Sequence, residues 1–147
     1  MIFKVYLIGP ISGLPYDEVM SRLQWFVASL PHCEILSPMT GKEYLRGETK
    51  LKPSDYFYGA STNHAIFERD KWMIGQCDIA LADFIGAKNV SIGSMFELAW
   101  ASYLNKHTLV IMEENNIHHH SFVLEAADII FQEALDAFQY INKLLAM

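Results

Sequence analysis

Ile2-Phe3-Lys4-Val5-Tyr6-Leu7-Ile8 runs directly into Gly9-Pro10-Ile11-Ser12-Gly13. Only Lys4 interrupts the apolar run, as expected of a short central strand covered on both faces. Gly9-Pro10 ends it, and the two glycines and the hydroxyl have the composition of a strand-to-helix turn. Further along, Val19, Leu23, Phe26, Val27 and Leu30 recur at steps of three and four, which predicts a helix over 16–30 that Pro31 stops. Residues 33–36 suit a second short strand. A helix over 63–76 follows, with Asn63 as its N-cap, and then a strand at 77–82, CDIALA. Ser91 opens a helix over 91–104, and HTLVIM at 107–112 and ADIIF at 127–131 read as strands. Residues 132–145 form an amphipathic helix on Ala134, Leu135, Phe138, Ile141 and Leu145. Strands alternating with helices predict an α/β fold, a doubly wound parallel sheet of about five strands in three layers.

A chain of 147 residues with 52% apolar side chains suits one domain, 1–147, whose core needs no metal or disulfide staple. Eleven Lys and Arg against 17 Asp and Glu leave a formal charge of −6, which argues against a phosphate-tracking nucleic-acid surface and a polybasic membrane anchor. Cys33 and Cys77 form no CxxC and no metal spacing, so two buried thiols in a reducing compartment are expected. The apolar N-terminus is too short for a signal peptide, and no apolar run approaches a membrane span, so a cytoplasmic protein is expected.

Residues 38–62 have no period. Gly41, Gly47, Pro53 and Gly59 punctuate them, and an excursion of this length reads as a long binding loop, a lid or partly disordered chain. Tyr44, Tyr56, Phe57 and Tyr58 in it either stack on a ligand or pack. In a doubly wound sheet, ligands bind beyond the carboxyl ends of the strands, which directs attention to loops 9–15, 83–91 and 113–121.

Three side chains look out of place. Glu97 is the only charge in SIGSMFELAWASYLNK before Lys106, and it shares a narrow polar stripe with Ser91 and Ser94. It is either an ordinary solvent-facing Glu or, among Met95, Phe96, Leu98 and Trp100, a half-buried carboxylate whose cost implies function. Asp70 lies between Ile66 and Met73 on the apolar side of its helix, with Glu68, Arg69 and Lys71 on the wet face. It either pairs with Arg69 or Lys71 or faces inward, and two carboxylates at one cleft suit glycosyl transfer. Tyr6, near the end of the first strand, is either a core aromatic or a phenol that orients a carboxylate. The turn Gly9–Gly13 has the makings of an anion cradle, though its spacing matches neither a P-loop nor a dinucleotide motif. His118-His119-His120 lacks metal-ligand spacing and reads as a solvent-facing or subunit-interface loop. Trp25 and Trp72 read as packing, with Trp72 close enough to Asp70 to border a pocket.

Three stretches in register, Val5-Tyr6-Leu7-Ile8-Gly9-Pro10-Ile11-Ser12-Gly13, then Arg69-Asp70 with Cys77-Asp78-Ile79-Ala80-Leu81-Ala82, then Ser91-Ile92-Gly93-Ser94-Met95-Phe96-Glu97-Leu98-Ala99, resemble the nucleoside 2-deoxyribosyltransferase superfamily. The resemblance covers nearly the whole chain except 38–62. It implies a flavodoxin-like domain that cleaves the N-glycosidic bond of nucleosides or nucleotides without metal or organic cofactor. Glu97 would be the nucleophile at the anomeric carbon, Tyr6 would orient it, and Asp70 would contact or protonate the leaving base. The resemblance also implies a homodimer or larger assembly in which the 113–121 loop, holding His118–Ser121, completes the neighbouring site.

One departure is informative. The transferases commonly carry an Asp six residues before the nucleophile, to hold the sugar 5′-hydroxyl, and this chain has Ser91 there. The related 2′-deoxynucleoside 5′-monophosphate N-glycosidases carry a Ser at that place and another matching Ser121, which approaches phosphate from the partner subunit. An Asp would repel a phosphate, whereas the Ser91 hydroxyl and the amides of Ser91, Gly93 and Ser94 at a helix start would bind it, with Gly9, Ser12 and Gly13 adding donors. The resemblance therefore leans toward hydrolysis of a 5′-monophosphate. Deoxyribosyl transfer between free bases is the first alternative, and a non-catalytic nucleotide-binding protein the second. The expected partner is a small nucleoside or nucleotide, with neither nucleic acid nor membrane.

Overall fold

A computed structural model describes residues 2–52 and 59–146. Five strands, β1 (Phe3–Ile8), β2 (Cys33–Leu36), β3 (Ile79–Asp83), β4 (His107–Ile111) and β5 (Ile129–Phe131), form one sheet in the order β2-β1-β3-β4-β5. Every pairing is parallel, and Tyr6 of β1 stands beside Leu36 of β2 and Ala80 of β3. Parallel neighbours need crossovers, which α1 (Tyr16–Ser29), α2 (Asn63–Gln76), α3 (Ile92–Tyr103) and the short α4 (Ser121–Ala126) supply, while α5 (Ala134–Leu145) follows the last strand. The α/β three-layer sandwich expected from the sequence is present. Among the described residues, no helix is long and apolar enough to cross a membrane.

Alternate residues of β1 serve opposite layers. Val5 packs with Phe26, Leu30, Leu81, Leu109, Phe138 and Ile141 under α1 and α5. Tyr6 and Ile8 face Met73, Ile74, Ala80, Ala82, Leu98 and Ala101 under α2 and α3. Both faces of the strand are covered, which is why its sequence reads as a nearly unbroken apolar run. Chain order reverses between β1 and β3, so their carboxyl ends diverge into a crevice. Gly9 sits at its floor, where a Cβ would meet the Asp83 carbonyl oxygen at 3.1 Å. Arg22 of α1 closes one side, with a two-pronged ion pair to Asp83 at 2.7 and 3.0 Å.

Several boundaries and faces differ from the sequence reading. Thr62, not Asn63, caps α2, its hydroxyl accepting the Ala65 N–H at 3.2 Å. Val27 and Leu135 turn outward, and Ala137 takes the inner place on α5, because the helices lie flat on the sheet and present a narrower stripe than the apolar count suggests. Trp25 stacks edge-on against Phe26 and Phe138, whereas Trp72 is largely exposed. Cys77 is buried, but Cys33, at the start of the edge strand β2, is only half-buried. Residues 37–52 are held by a third apolar cluster, in which Met39, Leu45 and Leu51 pack on Tyr16 with Val19 and Leu23 of α1. Gly13 N–H donates to the Leu51 carbonyl at 2.7 Å and Leu51 N–H to Leu14 at 2.8 Å, joining this segment to the turn after β1. Tyr44 is half-exposed in it, while Tyr56, Phe57 and Tyr58 lie outside the described residues.

Phe26 is 1% exposed, with edge-to-face rings on Trp25 and Phe138 at 5.7 and 5.0 Å. Phe26→Ala should therefore lower the unfolding free energy by about 3–5 kcal/mol in urea titrations, and a loss below about 1 kcal/mol would show that the α1/α5 layer is not the main core.

Candidate active site

The inner faces of α2 and α3 each carry one carboxylate above a run of apolar residues. On α3 the buried positions are Ser94, Glu97, Leu98 and Ala101, and on α2 they are Asp70, Met73 and Ile74. In both helices the apolar members lock onto the sheet, and the acidic member reaches the crevice at its edge. Glu97 is 7% exposed and Asp70 8%, so the inward reading of both holds. Tyr6 rises from β1 into the same space, fully buried, and its phenol donates a short hydrogen bond to Glu97 Oε2. The small Ala80 beside it in the sheet leaves room for the ring.

Electrostatics follow from burial. The Glu97 carboxyl is pushed up to about 8, chiefly by loss of water. The Tyr6 hydrogen bond opposes the rise, the Asp70 charge adds to it, and Lys42 opposes it. Asp70 is also raised, with burial outweighing the Arg69 and Lys42 charges. The Tyr6 phenol is held well above its usual value by burial and by the Glu97 and Asp70 charges, so it stays protonated and donates. The two carboxyls thus compete for one proton, a setting in which one serves as acid and the other as base.

Around this centre lies a cleft lined by Gly9, Ser12 and Gly13 from the turn after β1, and by Ser91, Gly93 and Ser94 from the start of α3. Ser91 caps α3: its Oγ lies 2.7 Å from Ser94 Oγ and accepts the Ser94 N–H at 3.3 Å. The Ser91 N–H is donated to His118 Nε2 at 2.9 Å. Of the amides from Ser91 to Ser94, those of Ile92 and Gly93 therefore remain without an acceptor among the described residues. A second opening between α2 and α3 reaches Asp70 and Glu97 past Asn63, Phe67, Phe96 and Trp100.

Two placements, those of His118 and Arg69, correct the sequence reading. His118 is not on a wet loop. It is 2% exposed, stacks on Phe84 at 4.2 Å, and is held by Asn116, whose own amide bonds the Phe84 carbonyl. Because Nε2 accepts from Ser91, Nδ1 carries the proton and donates to Asn116 Oδ1 at 3.1 Å, and burial depresses the ring's pKa. His119 and His120 do face solvent, and no group of three or more His, Cys, Asp or Glu among the described residues is arranged around a metal. Arg69 is not on the wet face either. It bonds Asp70 and reaches the carbonyls of Pro38 and Thr40, whereas Lys71 and Glu68 do pair at the surface. Ser121 begins α4, is exposed, and does not line the cleft of its own chain. Sequence reasoning missed Lys42, which lines the cleft with Asp70 and Glu97 and is nearly buried.

Glu97 binds a proton more tightly folded than unfolded, so its burial costs nothing below about pH 4.5 and destabilises increasingly up to about pH 8. At about 1.4 kcal/mol per pH unit, that cost is on the order of 5 kcal/mol. Glu97→Gln should raise the melting temperature markedly at pH 8.5 and little at pH 4.5. An equal effect at both pH values would mean that Glu97 titrates normally.

No family model and no curated protein match the chain. Solved structures do match. A 2-deoxyribosyltransferase from the psychrotolerant bacterium Bacillus psychrosaccharolyticus is 17% identical with a TM-score of 0.67, over 93% of this chain and 91% of that one. A CMP N-glycosidase from Clostridium botulinum is 15% identical with a TM-score of 0.58, over 96% and 98%. DNA processing protein A of Helicobacter pylori, described in a single-stranded DNA binding mode, is 19% identical with a TM-score of 0.60, over 98% and 80%. At these identities the likeness is one of fold, and a fold hosts more than one function. The chain shares a three-layer α/β fold with these proteins.

Proposed function

We propose that this protein cleaves the N-glycosidic bond of a (2′-deoxy)nucleoside or its 5′-monophosphate through a covalent glycosyl-Glu97 intermediate, with 5′-monophosphate hydrolysis as the favoured reaction. The observation that carries the reading is the buried Tyr6–Glu97 hydrogen bond with Asp70 beside it in a cleft. A binding module gains nothing from two poorly hydrated carboxylates, which cost stability.

In the first step the Glu97 carboxylate attacks C1′ as the base departs through an oxocarbenium-like transition state. The C1′–N bond pair leaves with the base, and the proton of Asp70 neutralises it. Tyr6 holds the attacking carboxylate and keeps its lone pairs directed at the sugar. In the second step water adds to C1′, its proton passes to Asp70, and Glu97 departs as a carboxylate. Neither step calls for a metal or an organic cofactor. The phosphate of a monophosphate is assigned to the start of α3, where the Ile92 and Gly93 amides meet the Ser91 and Ser94 hydroxyls, with the Ser12–Gly13 turn opposite. The Asp83 carboxylate nearby is neutralised by Arg22, which lowers its repulsion of an anion.

The rim of the second opening is apolar: Phe67 and Phe96 are about half-exposed and packed edge-on with Trp100. These exposed rings, and the exposure of Ser121 and Phe122, support a homodimer in which the 113–121 segment completes the neighbouring site. Transfer to a second base is the alternative fate of the same intermediate, and the 2-deoxyribosyltransferase likeness favours testing it.

Product analysis with a 5′-monophosphate alone, and with a deoxynucleoside plus a foreign base, separates the readings. Free base from the monophosphate supports the hydrolase, and a new nucleoside the transferase. Tight nucleotide binding with no base released would overturn both. Glu97→Ala should lower base release by about 10⁴-fold or more, and activity within a few-fold of wild type would remove Glu97 as nucleophile. Since the first step needs Glu97 as the anion and a proton on Asp70, the pair must hold one proton, and kcat/KM should fall as pH passes about 8, where that proton is lost. Tyr6→Phe should move that fall to higher pH, because it removes a hydrogen bond that favours the charged form.

A further inference from the structure

Lys42 is the cleft residue for which the two-carboxylate scheme has no task. It opens the 3-10 turn Glu43–Leu45; its N–H donates to the Met39 carbonyl at 3.1 Å and its carbonyl accepts from Leu45 at 3.0 Å. Both of those neighbours are anchored in the apolar cluster on α1. On the other side, Arg69 grips the Pro38 and Thr40 carbonyls, so the segment is fastened at both ends of the short stretch that presents Lys42. Lys42 is 8% exposed and lines the cleft with Asp70 and Glu97. Among the described residues, its ammonium has neither a hydrogen bond nor an ion pair. A buried ammonium without a partner is costly, and here the surrounding chain is built to keep it there. Arg69, which grips the Lys42 segment, neighbours Asp70 on α2, and the Lys42 charge acts on both carboxyls, while the amides and hydroxyls suited to phosphate stand at the start of α3.

On the N-glycosidase reading, we propose that Lys42 is a catalytic residue that donates a hydrogen bond to the departing base and suits the site to pyrimidines. When the C1′–N1 bond of a pyrimidine breaks, its electron pair moves into the ring and onto the 2-carbonyl oxygen next to the bond. An ammonium at that oxygen stabilises charge that develops only as the bond breaks, which is where such a contact accelerates the reaction. Glu97 forms the ester to C1′, Asp70 gives its proton to the base, and Lys42 keeps its own, so the step balances without a co-reactant. A purine departs after protonation of its imidazole ring, and a fixed cation opposes that protonation.

The test compares base release by wild type, Lys42→Met and Lys42→Arg from 2′-deoxyuridine, 5-fluoro-2′-deoxyuridine and 2′-deoxyadenosine, each free and as its 5′-monophosphate. Lys42→Met should lower kcat/KM for the deoxyuridine substrates by about 100-fold. It should cost clearly less with the 5-fluoro base, whose ring carries negative charge more easily, and less again with the purine. Lys42→Arg, which keeps the charge, should retain the wild-type order of leaving bases. Losses equal across all bases, or confined to the phosphorylated substrates, would overturn the proposal and make Lys42 a structural or a phosphate-binding residue. Wild type that releases no base from any substrate would overturn the N-glycosidase reading itself, and this proposal with it.

Discussion

The hydrogen bond from the Tyr6 phenol to the Glu97 carboxyl joins the central strand of the sheet to α3, across the gap where a parallel sheet leaves its crevice. It pairs a group that cannot ionise in its surroundings with one that ionises only at some cost. The phenol is fixed by the sheet register, and the carboxyl by Leu98 and Ala101 packing on the same helix face. Asp70 then acts on a carboxyl whose place is already set, and the chemistry of the cleft follows from how three buried groups share their protons.

The rest of the molecule supports that contact at a distance. Two loops are drawn in by long-range polar bonds. Arg69 fastens residues 38–40 to α2 and so places Lys42, while His118 accepts the Ser91 N–H and ties the start of α3 to the loop after β4. Asn116 and Glu113 extend that tie to Phe84 and Gly86. The start of α3 is thereby held as firmly as its interior, which an anion-binding helix terminus needs if its amides are to keep their direction.

The parallel sheet was legible because period, strand length and punctuation agree along the chain, and Glu97, Asp70 and Tyr6 were legible because each breaks the pattern of its own element. A single carboxylate in an apolar helix stands out without any knowledge of its neighbours. Lys42 and His118 could not be read in that way. Lys42 lies in a segment with no period, and what buries it is an arginine 27 residues away that looked like part of a wet helix face. His118 sits in a run of three histidines, and its partner at Ser91 is equally remote in sequence. The signal that could have found Lys42 is the apolar spacing of Met39, Leu45 and Leu51, which marks 37–52 as a segment with a core of its own. Local patterns report which face of an element is buried; they do not report which loop is pulled across it.

The account stands on a Glu97 carboxyl that is poorly hydrated and keeps its proton into the neutral range. Carbon-detected NMR of protein labelled at the glutamate side-chain carboxyls, titrated from pH 4 to 10 with Glu97 assigned by its absence in Glu97→Gln, measures this directly. The account predicts a midpoint for that resonance near 8. A midpoint close to the ordinary glutamate value of 4.5 would contradict it.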